Sequence, residues 1–520
     1  MLRSTLFLAA ASLATGAVIQ QPIAEPSSQS LINEKHKPLI KSTSLQNDIK
    51  TKNLLKRANQ LYKIAEESIP EYNHPTRVIG SKAAQDISDS LCVTGHESTV
   101  DYIYSSITSL GDYYDISNQS FPAVVGNIYD YRLVLGDAVP KTATPMSLTP
   151  PTANKDAVFG PLVLVSNNGC DTSDYPAEVA GSIALILRGT CSFGDKSANA
   201  GKAGAIAAVV YNNANGSLSG TLGAPNADHI ATFGISDEEA APYVEKLKNG
   251  ESIDGSAFVD ALVEEITTTN IIAQTKGGDA NNCVMLGGHS DSVEAGPGIN
   301  DDGTGSISLL EVATQLTKYK VNNCVRFGWW AGEEEGLLGS DYYVSQLSDE
   351  ENLKIRLFMD YDMMASPNYA YQVYNATDAA NPDGSEALRN LYTKWYKSHQ
   401  LNYTYIPFDG RSDYDAFIKN GIPGGGIATG AEGVKTAAEV EMFGGKAGDW
   451  YDPCYHQLCD DLSNLALDAW LINTQLIAHS VATYAASFEG FPKRTLESVS
   501  ASAAKKVKEE TKYHGPQLVM

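Results

Sequence analysis

Residues 283–316 read CVMLGGHSDSVEAGPGINDDGTGSISLLEVATQL, and this stretch decides the fold. It opens on a short apolar run, 283–286, which is typical of a buried strand. After a Gly-rich loop, apolar residues recur at the spacing of one helix face: Ile307, Leu310, Ala313 and Leu316. Two further apolar runs, 325–331 and 355–359, follow as strands. This alternation predicts an α/β fold with a mixed, largely parallel sheet sandwiched by helices.

Polar residues follow each of these strands. His289 and Asp291 come after the first, and the Gly-rich loop then carries the adjacent carboxylates Asp301 and Asp302. The later ones are Glu333, Glu334 and Glu335 after the second strand, Asp360 and Asp362 at the end of the third, and His456 in a later loop. Taken singly, each of these residues also fits a structure without metal: a hydrogen-bonded turn, a surface loop or a solvated acidic loop.

Taken together they indicate a metal site, because the carboxyl ends of parallel strands meet at one edge of a sheet. Imidazole and carboxylate ligands without thiolates suit a catalytic zinc ion. The number of ligands suggests two ions.

A β-rich module of different character covers residues 131–264. Short apolar runs at 161–165, 183–187 and 205–211 are interrupted by many Gly and Asn residues, as expected for tight turns. The segments GPLVLVSNNGCD, GSIALILRGTCSFGDKSANAGKAGAIAAVVYNN and ATFGISDEEA resemble the protease-associated domain of secreted peptidases. That resemblance implies an accessory role without catalytic residues.

The N-terminus has the layout of a secretory signal peptide over residues 1–17, with Arg3 ahead of an apolar run and then small residues. Residues 18–57 are interpreted as a propeptide or N-terminal lead-in, which would make the protein a zymogen, with Lys56 and Arg57 as a candidate processing site. Residues 58–130 are assigned to the N-terminal part of a peptidase domain and 265–491 to its catalytic part. A charged tail, 492–520, completes the chain.

A net charge of -24 argues against nucleic acid, whose phosphates require clustered Lys and Arg. No stretch is long and uncharged enough to span a membrane. The seven cysteines of a secreted chain are expected to pair, as Cys454–Cys459, Cys170–Cys191 and Cys283–Cys324, which leaves Cys92 alone. Four Asn-x-Ser/Thr sequons make the protein a candidate glycoprotein: Asn118, Asn215, Asn375 and Asn402.

Six motifs in order, GGHSDSV, GPGINDDGTGS, WAGEEEGLLGS, YDMMASPN, DGRSDYDAF and CYHQLC, resemble the co-catalytic zinc aminopeptidases that carry a protease-associated domain. The resemblance implies the zinc exopeptidase fold and two zinc ions. It places His289 and Asp362 on one ion, Glu334 and His456 on the other, and Asp301 between them, with a cis peptide just after Asp301.

The same resemblance implies roles for residues beside the ligands. Glu333 falls on the general base, Tyr455 on a phenol that supports the oxyanion, and Asp291 on the residue that orients His289. Arg411 lies in a motif near the substrate. The expected activity is removal of apolar N-terminal residues such as Leu from peptides with a free N-terminus, by a secreted or vacuolar monomer.

Other readings remain open. Glutamate carboxypeptidases share much of such a site, but they need a large helical C-terminal domain, and too few residues follow His456 for one. Glutaminyl cyclases resemble the fold with one zinc and an incomplete ligand set. A binding protein on an inactive peptidase scaffold would have lost ligands or the base, whereas every ligand position here is filled.

One departure from the family is the insertion AAQDISDSLCV at 83–93, which we interpret as an error in the gene model; a peptide containing DSLCV would refute that hypothesis.

Overall fold

The computed structural model describes residues 37–81, 95–214, 216–223 and 225–495. The predicted signal peptide, the insertion with Cys92, and Asn215 lie outside these residues, as does the tail from residue 496. Within the described part of the chain, no helix is both long enough and apolar enough to cross a bilayer.

The strands are numbered in chain order. They are β1 (Tyr114–Leu135), β2 (Thr144–Pro145), β3 (Val158–Leu164), β4 (Ile183–Leu187), β5 (Ala207–Tyr211), β6 (Thr232–Ile235), β7 (Asp254–Thr275), β8 (Asp279–His289), β9 (Asn323–Trp330), β10 (Ile355–Tyr361), β11 (Gln372–Tyr374), β12 (Thr404–Ile406) and β13 (Gly424–Ala428).

The α-helices are numbered in the same way. They are α1 (Ser42–Asp48), α2 (Thr51–Glu66), α3 (Ile69–Tyr72), α4 (Gly95–Thr108), α5 (Phe193–Lys202), α6 (Asp237–Lys248), α7 (Gly303–Leu316), α8 (Leu338–Ser345), α9 (Asp349–Lys354), α10 (Ser385–Ser398), α11 (Tyr414–Lys419), α12 (Ala437–Phe443) and α13 (Leu467–Ala486).

The peptidase half of the sheet has the strand order β12-β11-β13-β10-β8-β9-β7. The three strands predicted from the apolar runs, β8, β9 and β10, lie side by side and run parallel, with β8 in the middle. Helix α7 is buried on almost every side, not on one face alone, because it packs against the sheet and is covered in turn by other helices. The predicted α/β class and largely parallel sheet are confirmed.

The β-rich module continues the same sheet. Strands β3, β4, β5 and β6 are parallel neighbours, and β3 joins the peptidase half through β7. Along β4, Ile183 and Leu185 enter one apolar core while Ala184 and Ile186 enter another, so both faces are covered.

The predicted module boundaries at 131 and 264 fall inside β1 and β7. These two strands form one long antiparallel ladder, from the pair Tyr114 and Thr275 to the pair Leu135 and Gly255. The module is therefore joined to the peptidase half by continuous strands, not by a linker.

The N-terminal helices belong to the peptidase core. Leu45 of α1 and Leu54 and Leu61 of α2 are buried in the main apolar cluster. Arg57 lies within α2, where its guanidinium contacts Glu311 at 3.3 Å and donates to Thr314 at 2.8 Å. The boundary drawn between residues 57 and 58 thus divides one continuous helix, so the candidate processing site is not in an exposed linker.

Removal of residues 1–57 is expected to unfold the peptidase half, so that the truncated protein lacks the cooperative thermal transition of the full chain. The deletion strips Ile40, Leu45, Ile49 and Leu54 from the core. Loss of one buried Leu or Ile costs about 2–5 kcal/mol, and the total stability of a domain is about 5–15 kcal/mol. Thermal unfolding of the truncated protein and of the full chain measures the difference; equal melting temperatures would contradict it.

Among the residues that the structure describes there are three disulfide bonds, Cys170–Cys191, Cys283–Cys324 and Cys454–Cys459. The second joins the neighbouring strands β8 and β9. Of the sequon asparagines that the structure describes, Asn118, Asn375 and Asn402 are all exposed.

Candidate metal centre

Three strand ends bring polar side chains to one edge of the sheet. His289 is the last residue of β8, Asp362 directly follows β10, and Glu333 and Glu334 lie just beyond the end of β9. Because β8 lies between its two parallel neighbours, residues that follow the three strands converge in front of it. The sheet topology is therefore sufficient to assemble groups that are far apart in sequence.

The Gly-rich loop between β8 and α7 adds Asp301 and Asp302, which are joined by a cis peptide bond. Asp302 caps α7 by accepting a hydrogen bond from the Gly305 amide at 2.8 Å. The same carboxylate accepts from the amides of His289 at 3.2 Å and Met363 at 3.1 Å. Asp302 thus ties the start of α7 to the ends of β8 and β10.

The first turn of α7 requires glycine at position 305. A Cβ atom at this position would lie 2.0 Å from the Tyr361 carbonyl oxygen and 2.2 Å from a carboxylate oxygen of Asp302. A larger residue would therefore force the helix start away from β10.

Asp301 lies between two histidines. Its Oδ1 is 3.2 Å from His289 Nε2, and its Oδ2 is 3.2 Å from His456 Nε2. On the first side, Asp362 Oδ1 lies 3.8 Å from His289 Nε2. On the second side, Glu334 Oε2 lies 3.1 Å from His456 Nε2.

Two groups of ligand atoms result, and Asp301 belongs to both. His289, Asp301 and Asp362 form one, and Asp301, Glu334 and His456 form the other, with the atoms of each within 4.8 Å of one another. All five predicted ligand residues are therefore brought together.

Asp291 and Glu333 lie beside these groups. An Asp291 carboxylate oxygen is 3.5 Å from Nδ1 of His289, on the side of the ring away from Asp301. Asp291 also accepts hydrogen bonds from the amides of Glu333 and Glu334, each at 3.3 Å. Glu333 belongs to neither group, but its Oε2 is 3.9 Å from His289 Nε2, so its carboxylate faces the same space.

His456 is carried by the loop that the Cys454–Cys459 disulfide closes. The Tyr455 ring stacks on the His456 ring with centroids 3.8 Å apart. Burial, together with the nearby Asp301 and Glu334, raises the pKa of the Tyr455 phenol, which therefore keeps its proton. Arg411, on the rim, is paired with Glu432 at 2.6 Å and Asp409 at 3.0 Å.

Carboxylates crowd this edge of the sheet. Burial raises the pKa of Asp362 to about 7, and Asp301 acts in the same direction while His289 opposes it. Burial also raises the pKa of Glu334, again with a contribution from Asp301. Asp301 differs, because hydrogen bonds from the two histidines hold its pKa below the usual range although burial opposes this.

These residues fit zinc. Two imidazoles and three carboxylates, without thiolates, match the ligand chemistry of catalytic zinc sites. Asp362 Oδ1 is buried without a hydrogen-bond partner, so it has a lone pair to offer. A bound cation would also compensate the like charges that raise the pKa of Asp362 and Glu334.

Some contributors were missed by sequence reasoning. Ser412 donates to Asp362 Oδ2 at 3.0 Å, and the fully buried Asp413 lies next to it. Both fall within the DGRSDYDAF motif, so the motif was a signal that could have found them. Arg77, which is fully buried near the site, had no such signal, because it is an isolated arginine more than 200 residues before the ligands.

Two family models match the chain. The model of peptidase family M28 matches residues 270–481, and the model of the PA domain matches residues 158–243.

Curated proteins of similar sequence extend this match to most of the chain. Aminopeptidase Y from Saccharomyces cerevisiae is 52% identical over 470 residues, which cover 88% of this chain and 83% of that protein. Leucine aminopeptidase 2 from Trichophyton rubrum is 42% identical, over 94% of this chain and 93% of that protein.

Solved structures share the fold. An aminopeptidase from Aneurinibacillus sp. strain AM-1 superposes with a TM-score of 0.68 at 26% identity, over 88% of this chain and 100% of that chain. A zinc aminopeptidase from Bacillus subtilis superposes with a TM-score of 0.59 at 22% identity, over 86% of this chain and 98% of that chain.

Proposed function

This chain belongs to peptidase family M28 and is a metallo-aminopeptidase, and from that premise we propose that it removes apolar N-terminal residues from peptides at a dinuclear zinc centre. One observation carries the proposal. Asp301 presents one carboxylate oxygen to each of two histidines, at 3.2 Å in both cases, so an ion held by either histidine would have an Asp301 oxygen beside it.

In this proposal His289, Asp301 and Asp362 hold one zinc ion, and Asp301, Glu334 and His456 hold the other. The two groups of ligand atoms support this division. When bound, a pair of zinc ions lowers the pKa of a shared water and polarises the carbonyl of the bond to be cut.

Glu333 is proposed as the general base. Its carboxylate faces the centre without belonging to either ligand group, so it is free to carry a proton. It takes a proton from the attacking water at a carboxylate oxygen and passes it to the leaving amine. Asp291 accepts from the Glu333 amide and faces His289 Nδ1, so it orients both the base and a ligand.

Tyr455 is proposed to stabilise the oxyanion. Its phenol keeps its proton and its ring is fixed against His456, so it can donate a hydrogen bond to the carbonyl oxygen as negative charge develops.

Exopeptidase action follows from the charge of the site. The free α-amine of a peptide is a cation or, when neutral, a metal ligand, so the carboxylates and the zinc ions together can hold it. An amine held there would place the first peptide bond beside Glu333. Preference for apolar N-terminal residues such as Leu is supported by the names of the leucine aminopeptidase relatives. We further propose a secreted or vacuolar location, which the N-terminal sequence supports.

We expect hydrolysis of Leu-p-nitroanilide and no measurable hydrolysis of N-acetyl-Leu-p-nitroanilide. Acetylation removes the positive charge of the amine and adds bulk where the carboxylates would hold it. Release of p-nitroaniline at matched enzyme concentration measures both. Comparable rates on the two substrates would reject amine recognition, and a faster rate on the blocked one would reject the exopeptidase assignment.

A further inference from the structure

A buried arginine grips the segment that connects two of the proposed ligands. Arg77 is fully buried, and its guanidinium donates to three backbone carbonyls. Nε donates to Pro297 at 2.8 Å, Nη2 donates to Gly298 at 2.6 Å, and Nη1 donates to Ser290. All three carbonyls lie between His289 and Asp301.

A buried carboxylate accepts hydrogen bonds from backbone amides of the same segment. Asp460 is 2% exposed. Its side chain accepts hydrogen bonds from the amides of Asn300 at 2.9 Å and Asp301 at 3.0 Å, and its backbone carbonyl accepts from Ile299 at 2.9 Å. Asp460 follows the disulfide loop that carries His456, so it links the loops of two ligands.

We propose that Arg77 and Asp460 are positioning residues that clamp the segment from Ser290 to Asp301 and thereby fix the spacing of His289, Asp301 and His456. The inference rests on the proposed metal centre. Arg77 satisfies carbonyls and Asp460 satisfies amides, so together they hold the backbone in one arrangement. Groups that orient metal ligands in this way typically contribute 10–100-fold to metal affinity or activity.

A purely electrostatic role for the two residues predicts a different result. Arg77 is a cation near the carboxylates of the centre, so its neutralisation would strengthen zinc binding through charge. Asp460 is an acid, so its neutralisation would weaken zinc binding. A clamp predicts weaker binding when either residue loses its hydrogen bonds, even where the charge is kept.

The test uses Arg77→Lys, Asp460→Asn and the double variant in the full chain. Lys keeps the charge, but its three donors are on a single nitrogen, whereas Arg77 meets the three carbonyls with three different nitrogens of a planar group. Asn keeps the shape of Asp460 but turns one acceptor into a donor that faces an amide. Arg132→Lys and Asp461→Asn are matched controls, because Arg132 is exposed and the Asp461 side chain accepts hydrogen bonds from Ser463 in its own turn.

Zinc affinity is measured by competition with a chelator of known affinity, alongside the unfolding temperature of the zinc-free proteins. We expect both single variants to bind zinc about 10–100-fold more weakly than wild type, with control variants unchanged. The fold loss of zinc affinity in the double variant should be smaller than the product of the two single losses, because both residues act on one segment. If Arg77→Lys does not fold, Asp460→Glu takes its place. Glu keeps the charge of Asp460 but moves the carboxylate away from the amides of Asn300 and Asp301, so a clamp predicts weaker zinc binding and charge alone predicts no change.

Unchanged zinc affinity in both single variants overturns the clamp. A loss in Asp460→Asn with none in Arg77→Lys also overturns it, since that pattern follows charge alone. A wild-type protein that binds no zinc contradicts the proposed metal centre instead, so the two failures are distinguishable.

Discussion

Replacement of Glu333 with Gln is expected to lower kcat on Leu-p-nitroanilide by about 10²–10⁴-fold, the usual contribution of a positioned general base. The amide has the shape of the carboxylate but cannot take up a proton at neutral pH. Because Glu333 belongs to neither group of ligand atoms, we expect the zinc content of the variant to equal that of wild type. Metal analysis on the same preparation as the kinetics separates the two effects.

Glu350→Gln is the matched control. The Glu350 side chain is 84% exposed and has no role in the proposed centre, so its variant should retain wild-type kcat and zinc content. If Glu333→Gln loses zinc together with activity, Glu333 is a ligand and the proposed role is wrong. If it keeps both, another group takes the proton.

The convergence of the proposed ligands at one edge of the sheet could be predicted from sequence because it follows from topology. His289 and Asp362 end apolar runs that are separated by helical segments, and this order dictates parallel strands. Parallel strands place their carboxyl ends at one edge, so the two residues had to converge. His456 could not be placed by that rule, because it lies in a loop. Only the motif CYHQLC connected it with the centre.

Features that depend on tertiary packing were harder to predict. The stretch around α2 is amphipathic, but periodicity does not say which core its apolar face enters, and the neighbouring Lys56 and Arg57 suggested a cleavage site. In the structure Arg57 pairs with the buried Glu311, a packing contact that the sequence did not indicate. Similarly, turn-rich sequence indicated a β-rich module, but strands β1 and β7 run through both of its predicted boundaries.

Arg77 and Asp460 are residues whose contacts could not be predicted from the sequence. Each is one charged residue, and the groups that they contact in the segment from Ser290 to Asp301 are backbone carbonyls and amides, which leave no trace in the side-chain pattern. The proposed role of each residue depends on the segment from Ser290 to Asp301. That segment is distant in sequence from Arg77, and it belongs to a different loop from Asp460. Such contacts become visible only when the chain is folded.

Replacement of Asp301 with Asn is expected to abolish the binding of the second zinc ion and to reduce activity by more than the roughly 100-fold loss that follows removal of a residue that only orients a ligand. A carboxylate offers an oxygen to each side, and in the structure each oxygen faces one histidine. An amide has only one oxygen, and its NH₂ group cannot donate a lone pair to a metal. The variant should therefore hold at most one ion per chain.

Two measurements check this, the zinc content after dialysis and the shift of melting temperature on addition of zinc. Ligand binding at 100 times the dissociation constant stabilises a protein by about 2.7 kcal/mol, so wild type should show a clear shift that Asp301→Asn largely loses. Asp449→Asn, at an exposed position, is the control and should behave as wild type. The backbone amide of residue 301 still donates to Asp460 in the variant, so the loop is expected to keep its conformation. Two zinc ions retained by Asp301→Asn would mean that Asp301 does not bridge them, and the division of ligands would have to be redrawn.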